Sequence, residues 1–244
     1  MAVSTREKNA ASRIRSAVRR RLSSRAVPAA EAPSVSRLRV LAARLTPHEW
    51  RRRMMHMTPG LLPFVLLAIP HRDPVTWFLK GPVLAITLGF VIFALRKEGL
   101  FARRDERGWP TSVLGYAIIT SALLIALPWQ PELGLAVTII IAFGDGSATL
   151  AGLIARGRRL PWNRAKSWAG LTAFIACSVP LATLVYWCEA RPGVPLSVAL
   201  ACVVPAALAA GLAESLPTRI NDNIRVGATA ALTMVITHGM FVGW

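Results

Sequence analysis

The chain has 244 residues, is 54% hydrophobic and 17% charged, and carries a formal net charge of +17. A soluble domain is seldom this apolar and this basic at once, and a disordered chain is never this apolar. The two properties also occupy different places: apolar runs of roughly 18–22 residues, the length that crosses a bilayer core, alternate with short basic loops. This excludes a soluble enzyme and makes the membrane surface, not nucleic acid, the partner of the positive charge.

Residues 1–49 read as a basic extension rich in Arg, Ser and Ala. No apolar core follows its early charges, so it is not a secretory signal, although an organellar transit peptide has a similar composition. Ile14, Val18 and Leu22, and again Leu38, Leu41 and Leu45, recur at helical spacing among arginines. The segment is expected either to lie as amphipathic helices on an anionic lipid surface or to stay disordered. Residues 50–244 form the membrane domain, read as an all-α, polytopic transmembrane helical bundle of about seven spans. The spans are a short one at Thr58–Pro70, then Val75–Leu95, Thr111–Pro128, Glu132–Ala155, Ser167–Cys188, Pro195–Ala213 and Ile224–Val242.

All 29 lysines and arginines except Arg72, Lys80 and Arg191 fall in segments on one side of this map, which places that side and the N-terminus in the cytoplasm. Trp77, Trp109, Trp129, Trp168, Trp187 and Trp244 fall near span ends, where amphipathic rings prefer the interface. Cys177, Cys188 and Cys202 lie in or beside spans, at no zinc-ligand spacing, and read as small buried residues.

The unusual polar residues are expected on the cytoplasmic side. Arg52, Arg53 and His56 share one helical face just before the first span. Asp145 stands between Gly144 and Gly146 inside an apolar run, and an ionisable group there is costly enough to suggest function. With Ala148, Thr149 and Gly152 on its face, it suits either a hard cation such as Mg²⁺ or a packing ion pair with an arginine. Lys166-Ser167 at a helix start can bind phosphate through ammonium, hydroxyl and backbone N–H groups, or can simply end a basic loop. Glu214, Asp222 and Asn223 flank a Pro217 break and read as helix caps or as metal and hydroxyl ligands.

Three segments together resemble the dolichol kinase/phytol kinase group, integral membrane enzymes that phosphorylate lipid alcohols, typically with CTP. They are Arg52-Arg53-Met54-Met55-His56; Gly144-Asp145 through Ala148 and Gly152, then Lys166-Ser167-Trp168-Ala169-Gly170; and Glu214 followed by Asp222-Asn223. The resemblance implies His56, Asp145, Lys166 and Glu214 as catalytic residues. It implies Arg53, Gly144, Gly146, Gly152, Lys166, Ser167, Gly170 and Asn223 at the nucleotide and its phosphates. Asp145 and Asp222 would hold Mg²⁺. CTP would be the donor and a phytol-, polyprenol- or dolichol-like alcohol the acceptor. CDP-diacylglycerol synthases have a similar Gly-Asp and Lys-Ser layout but end in a different signature from Pro217–Asn223, so a cytidylyltransferase is the alternative. A small ion-coupled transporter is less favoured, because no internal repeat is evident.

Overall fold

The structure, a computed structural model, describes residues 46–97, 109–155, 157–218 and 220–244. The amphipathic patterns of the basic extension lie outside these residues. Within them every regular element is helical.

The first helical segment begins earlier than its apolar run. α1 (Pro47–Met57), a single 3₁₀ turn (Thr58–Leu61) and α2 (Leu62–Leu67) follow without a break. Thr46 starts α1 as its N-cap: its hydroxyl accepts from Glu49 N–H at 3.2 Å, and Pro47 occupies the first turn, where no N–H is needed. The expected short span at Thr58–Pro70 is therefore only the apolar half of a longer helical segment. Its polar half, HEWRRRMMH, is too charged for hydropathy to register.

α3 (Trp77–Arg96) packs chiefly on α4 (Trp109–Ala126). The next crossing, Pro131–Ala155, is composite: α5 (Pro131–Ile139), a π-helical segment (Ile140–Asp145) and α6 (Gly146–Ala155). α7 (Trp168–Glu189), α8 (Leu196–Ser215) and α9 (Asp222–Phe241) complete the chain. Five stretches are long and apolar enough to cross a membrane: α3, the composite helix, α7, α8 and α9. The protein is thus a polytopic helical bundle. Its outer faces carry exposed Phe78, Ile86, Leu88, Leu232 and Met240, as helices that are apolar all round require when lipid replaces water.

α7 is the hub, touching α2, α5, the π segment, α6 and α8. Small residues on α8 (Ala199, Ala206, Ala207 and Ala210, all fully buried) let its neighbours approach closely. Phe174 of α7 fills the space left by two glycines: a Cβ on Gly144 would sit 2.7 Å from its ring, and one on Gly211 3.2 Å. Gly170 meets α6 with less room for adjustment, because a Cβ there would lie 2.8 Å from the Ala148 carbonyl oxygen, a backbone atom. Gly170→Ala is expected to push α6 from α7 at a cost of about 1–3 kcal/mol, whereas Gly81→Ala, with nothing within 4 Å, should leave stability unchanged or raised. Thermal midpoints of the two purified variants check this.

A second polar cluster lies at the other end of the bundle, which the one-sided sequence expectation did not foresee. Glu189 is fully buried, with Oε1 2.6 Å from His71 Nε2 and 3.3 Å from the Arg191 guanidinium. Arg191 also reaches Asp73 at 3.8 Å. Glu132, 2% exposed, lies 3.9 Å from His238, whose ring in turn meets the Tyr186 hydroxyl at 2.7 Å. Each acid here sits at a helix end and reads in sequence as a cap or loop charge. His71→Ala would remove a 2.6 Å hydrogen bond from the buried Glu189 carboxylate and leave it to the half-exposed Arg191, costing about 1–3 kcal/mol. The expected result is a lower thermal midpoint with no change in substrate KM.

Candidate functional site

At the end of the bundle where the motifs converge, three chain segments supply the charges. The π segment ends on Asp145, whose carboxylate is mostly buried, with its side chain 14% exposed. π-helical insertions shift the helical register and recur at functional sites. Here the insertion ends at the acid that α1 meets. Asp145 Oδ2 lies 3.1 Å from His56 Nε2 and 3.7 Å from the Arg53 guanidinium. The motif before the first apolar run thus reaches the acid in the fourth. His56 also stacks edge-on against Tyr116 of α4, with ring centroids 5.8 Å apart. Tyr116 carries no sequence signal of its own.

Lys166 is delivered by the loop after α6. An antiparallel bridge joins Arg159 to Ser167, Leu160 N–H donates to the Lys166 carbonyl at 3.0 Å, and Leu160 itself is buried. Trp162 Nε1 donates to Ser215 Oγ and Asn163 Nδ2 to the Ser215 carbonyl, both at 3.0 Å, so the loop is pinned to the end of α8. Lys166 Nζ then forms an ion pair with Glu214 and lies 3.8 Å from Asp222 Oδ2. Burial pulls its pKa down, but Glu214 first, then Asp145 and Asp222, outweigh that, and the net shift is upward from the ordinary lysine value. The ammonium is therefore charged at any physiological pH. Arg225, which no motif singled out, closes the cluster: its guanidinium is 2.7 Å from Asp222 Oδ1 and donates to the Glu214 carbonyl at 3.4 Å. It lies three residues after Asp222, on the same helical face, and that spacing was its only sequence signal.

The remaining motif residues occupy structural positions around this core. Ser167 is the N-cap of α7, its Oγ accepting from Gly170 N–H at 3.1 Å. A Cβ on Gly152 would approach that same oxygen to 3.3 Å, and one on Gly146 would strike Met57. Gly144, Gly146, Gly152 and Gly170 thus stand at close contacts between helices. Asn221, not Asp222, caps α9, accepting from the N–H groups of Asn223 and Ile224 at 3.0 and 3.4 Å. Asn223 is buried, and with Arg52, Arg53 and His56 it lines the polar end of a cavity of about 300 Å³ between α1–α2, α3, α4 and α5.

Among the described residues no group of three His, Cys, Asp or Glu side chains forms a metal cage. Asp145 and Asp222 each have a cationic partner, with Lys166 set among the acids. That donor set suits Mg²⁺ carried in on nucleotide phosphates and water with one or two protein carboxylates, which is how Mg²⁺ is commonly held.

Fold and cluster together define the class: an integral membrane helical bundle with paired carboxylates, a lysine and a histidine gathered at one end. The chain is similar to a protein of Oryza sativa subsp. japonica named "Probable phytol kinase 1, chloroplastic", at 25% identity over 211 residues, which is 81% of this chain and 67% of that one. This likeness supports the resemblance carried by the motifs, at the level of the phytol and polyprenol kinase family. No protein-family model and no solved structure matches the chain.

Proposed function

We propose that the protein is an integral membrane kinase that transfers the γ-phosphoryl group of CTP to the hydroxyl of a lipid alcohol, with its active site facing the cytoplasm. The observation that carries this reading is the meeting of Asp145 with Arg53 and His56, two residues that line an apolar cavity. Lys166 stands near enough for Asp145 to raise its pKa. Phosphoryl transfer asks a protein mainly for positioning and charge neutralisation, and these residues supply both.

In this reading Asp145 orients His56. With the ring proton on Nε2, beside the Asp145 carboxylate, Nδ1 holds the lone pair that accepts the alcohol proton as its oxygen attacks. Arg53 neutralises the phosphoryl oxygens, and Lys166, held in place by Glu214, does the same from the other side. Asp145 and Asp222 are the carboxylates that would hold Mg²⁺. Bound there, Mg²⁺ would supply charge neutralisation on the nucleotide phosphates. Asn223 sits where the hydroxyl enters.

The test uses the full chain in lipid nanodiscs with labelled CTP or ATP, Mg²⁺, and a panel of phytol, polyprenols and diacylglycerol. A lipid monophosphate with CDP as coproduct is expected. Release of pyrophosphate with a CDP-lipid would instead establish the cytidylyltransferase, and no phosphorylated lipid from any alcohol would overturn the kinase.

A further inference from the structure

We infer that the cavity beneath His56 is the binding site for the hydrocarbon tail of the acceptor, and that its far end sets the tail length accepted. This rests on the kinase reading above and deepens it. The polarity of the cavity is one-sided. Arg52, Arg53, His56 and Asn223 line one end, and from there the wall runs down through aliphatic residues such as Leu62, Val83, Leu123 and Leu124. Its length follows from the helices that border it. The wall uses α4 from Val113 to Leu124 and α1–α2 from His56 to Leu66, about 15 Å at 1.5 Å per residue.

Several wall residues have hydroxyls, and most of these are not offered to the cavity. Thr87, Thr120 and Thr138 donate to the carbonyls of Val83, Tyr116 and Gly134 on their own helices, at 2.9, 3.1 and 2.8 Å. The Tyr116 hydroxyl donates to the Thr138 carbonyl at 3.4 Å, so its ring forms the boundary between the His56 end and the apolar barrel. A cavity whose wall threonines and tyrosine are satisfied internally, with Ser121 the one further wall hydroxyl among the described residues and the charged groups gathered at the His56 end, fits a molecule with one hydroxyl and an otherwise saturated or prenyl chain. It does not fit a sugar, a nucleotide or a glycerolipid headgroup, whose oxygens would find no partners along the wall. α3, the outer wall, packs chiefly on α4, so the cavity borders the lipid from which such a tail would come.

The far end is bounded by Leu66, Pro131 and Gly134. Gly134 lies in the first turns of α5, and a Cβ there would only touch Leu123 Cβ at 3.4 Å. A side chain added at this position enters the space between α5 and the Leu123–Leu124 stretch of α4, both of which line the cavity.

The experiment compares wild type, Gly134→Leu and Leu124→Ala in nanodiscs with geraniol, farnesol and geranylgeraniol as acceptors. A geranylgeraniol analogue carrying a terminal diazirine is used separately for photolabelling without nucleotide. Gly134→Leu is expected to lower kcat/KM for geranylgeraniol by about tenfold or more, with geraniol changed little. Leu124→Ala should shift the preference toward the longer alcohol. The diazirine should label α2, α4 or α5 at the far end in wild type, and not in Gly134→Leu. Labelling confined to the outer faces, or an unchanged length profile in both active variants, would overturn the inference. Labelling is independent of turnover: deep labelling with no phosphorylated product would sink the kinase and keep the tail site, and the reverse result would do the opposite.

Discussion

Asp145→Asn is expected to abolish lipid-alcohol phosphorylation, lowering kcat by about three orders of magnitude, while the protein still folds. Asparagine keeps the size of the side chain and can still meet His56 Nε2, now 3.1 Å away. It cannot hold the imidazole in the charged form that proton transfer creates, nor give a carboxylate oxygen to Mg²⁺. Because Asp145 does not line the cavity wall, KM for the lipid should change little, the pattern of an interaction made in the transition state. Single-turnover phosphorylation together with size-exclusion and thermal-melting profiles checks the expectation. Activity within tenfold of wild type would remove Asp145 from the site.

The second large effect is expected at Lys166. Glu214 is 3% exposed, and Lys166 is its cationic partner. Lys166→Met leaves that carboxylate buried among acids and should destabilise the protein by about 3–5 kcal/mol, as well as lowering kcat/KM by about a hundredfold or more. The two losses can be separated. Adding Glu214→Gln to Lys166→Met removes the stranded charge, so stability should recover while activity does not. Recovery of both would make Lys166 a structural residue. The pH dependence has a definite sign. The Lys166 pKa is raised in the folded protein, so its stabilisation is fully present below the unfolded value of about 10.4 and is lost only as pH rises through the higher folded value. The stability gap between wild type and Lys166→Met should therefore be constant from neutral to mildly alkaline pH and close only in strong base. Melting curves at a series of pH values measure it.

How far the site was legible differs from residue to residue. Asp145 was visible because a carboxylate in an apolar run has few innocent explanations. Lys166 and Glu214 were visible singly, as a loop charge and a helix-end acid, but nothing local to either predicts that they pair. Their contact spans 48 positions and depends on Trp162 and Asn163 tying the loop to Ser215. Glu189 and His71 are 118 positions apart and were missed outright, because each alone looks like an ordinary charge beside a span. The glycines of the motif segments carry packing information as well. The resemblance implied a place for them at the nucleotide phosphates, and in the fold Gly144 and Gly170 also stand where helices approach too closely for a Cβ.

The sequence by itself determined that this is a membrane protein, roughly where its crossings begin and end, and which ends share the basic loops. A helix in lipid must satisfy its backbone internally and present apolar side chains outward, so each crossing writes itself into a contiguous run that composition can read. Only the tertiary structure decided that α1 runs without a break into the first apolar helix, that a π-helical segment ends at Asp145 opposite His56 and Arg53, and that an apolar cavity opens at that corner. These depend on which helix packs against which and in what register. In a bundle of uniformly apolar helices the hydrophobic pattern carries almost no such information: lipid and neighbouring helix are equally good solvents for a leucine, and the choice falls to small residues and a few buried polar pairs.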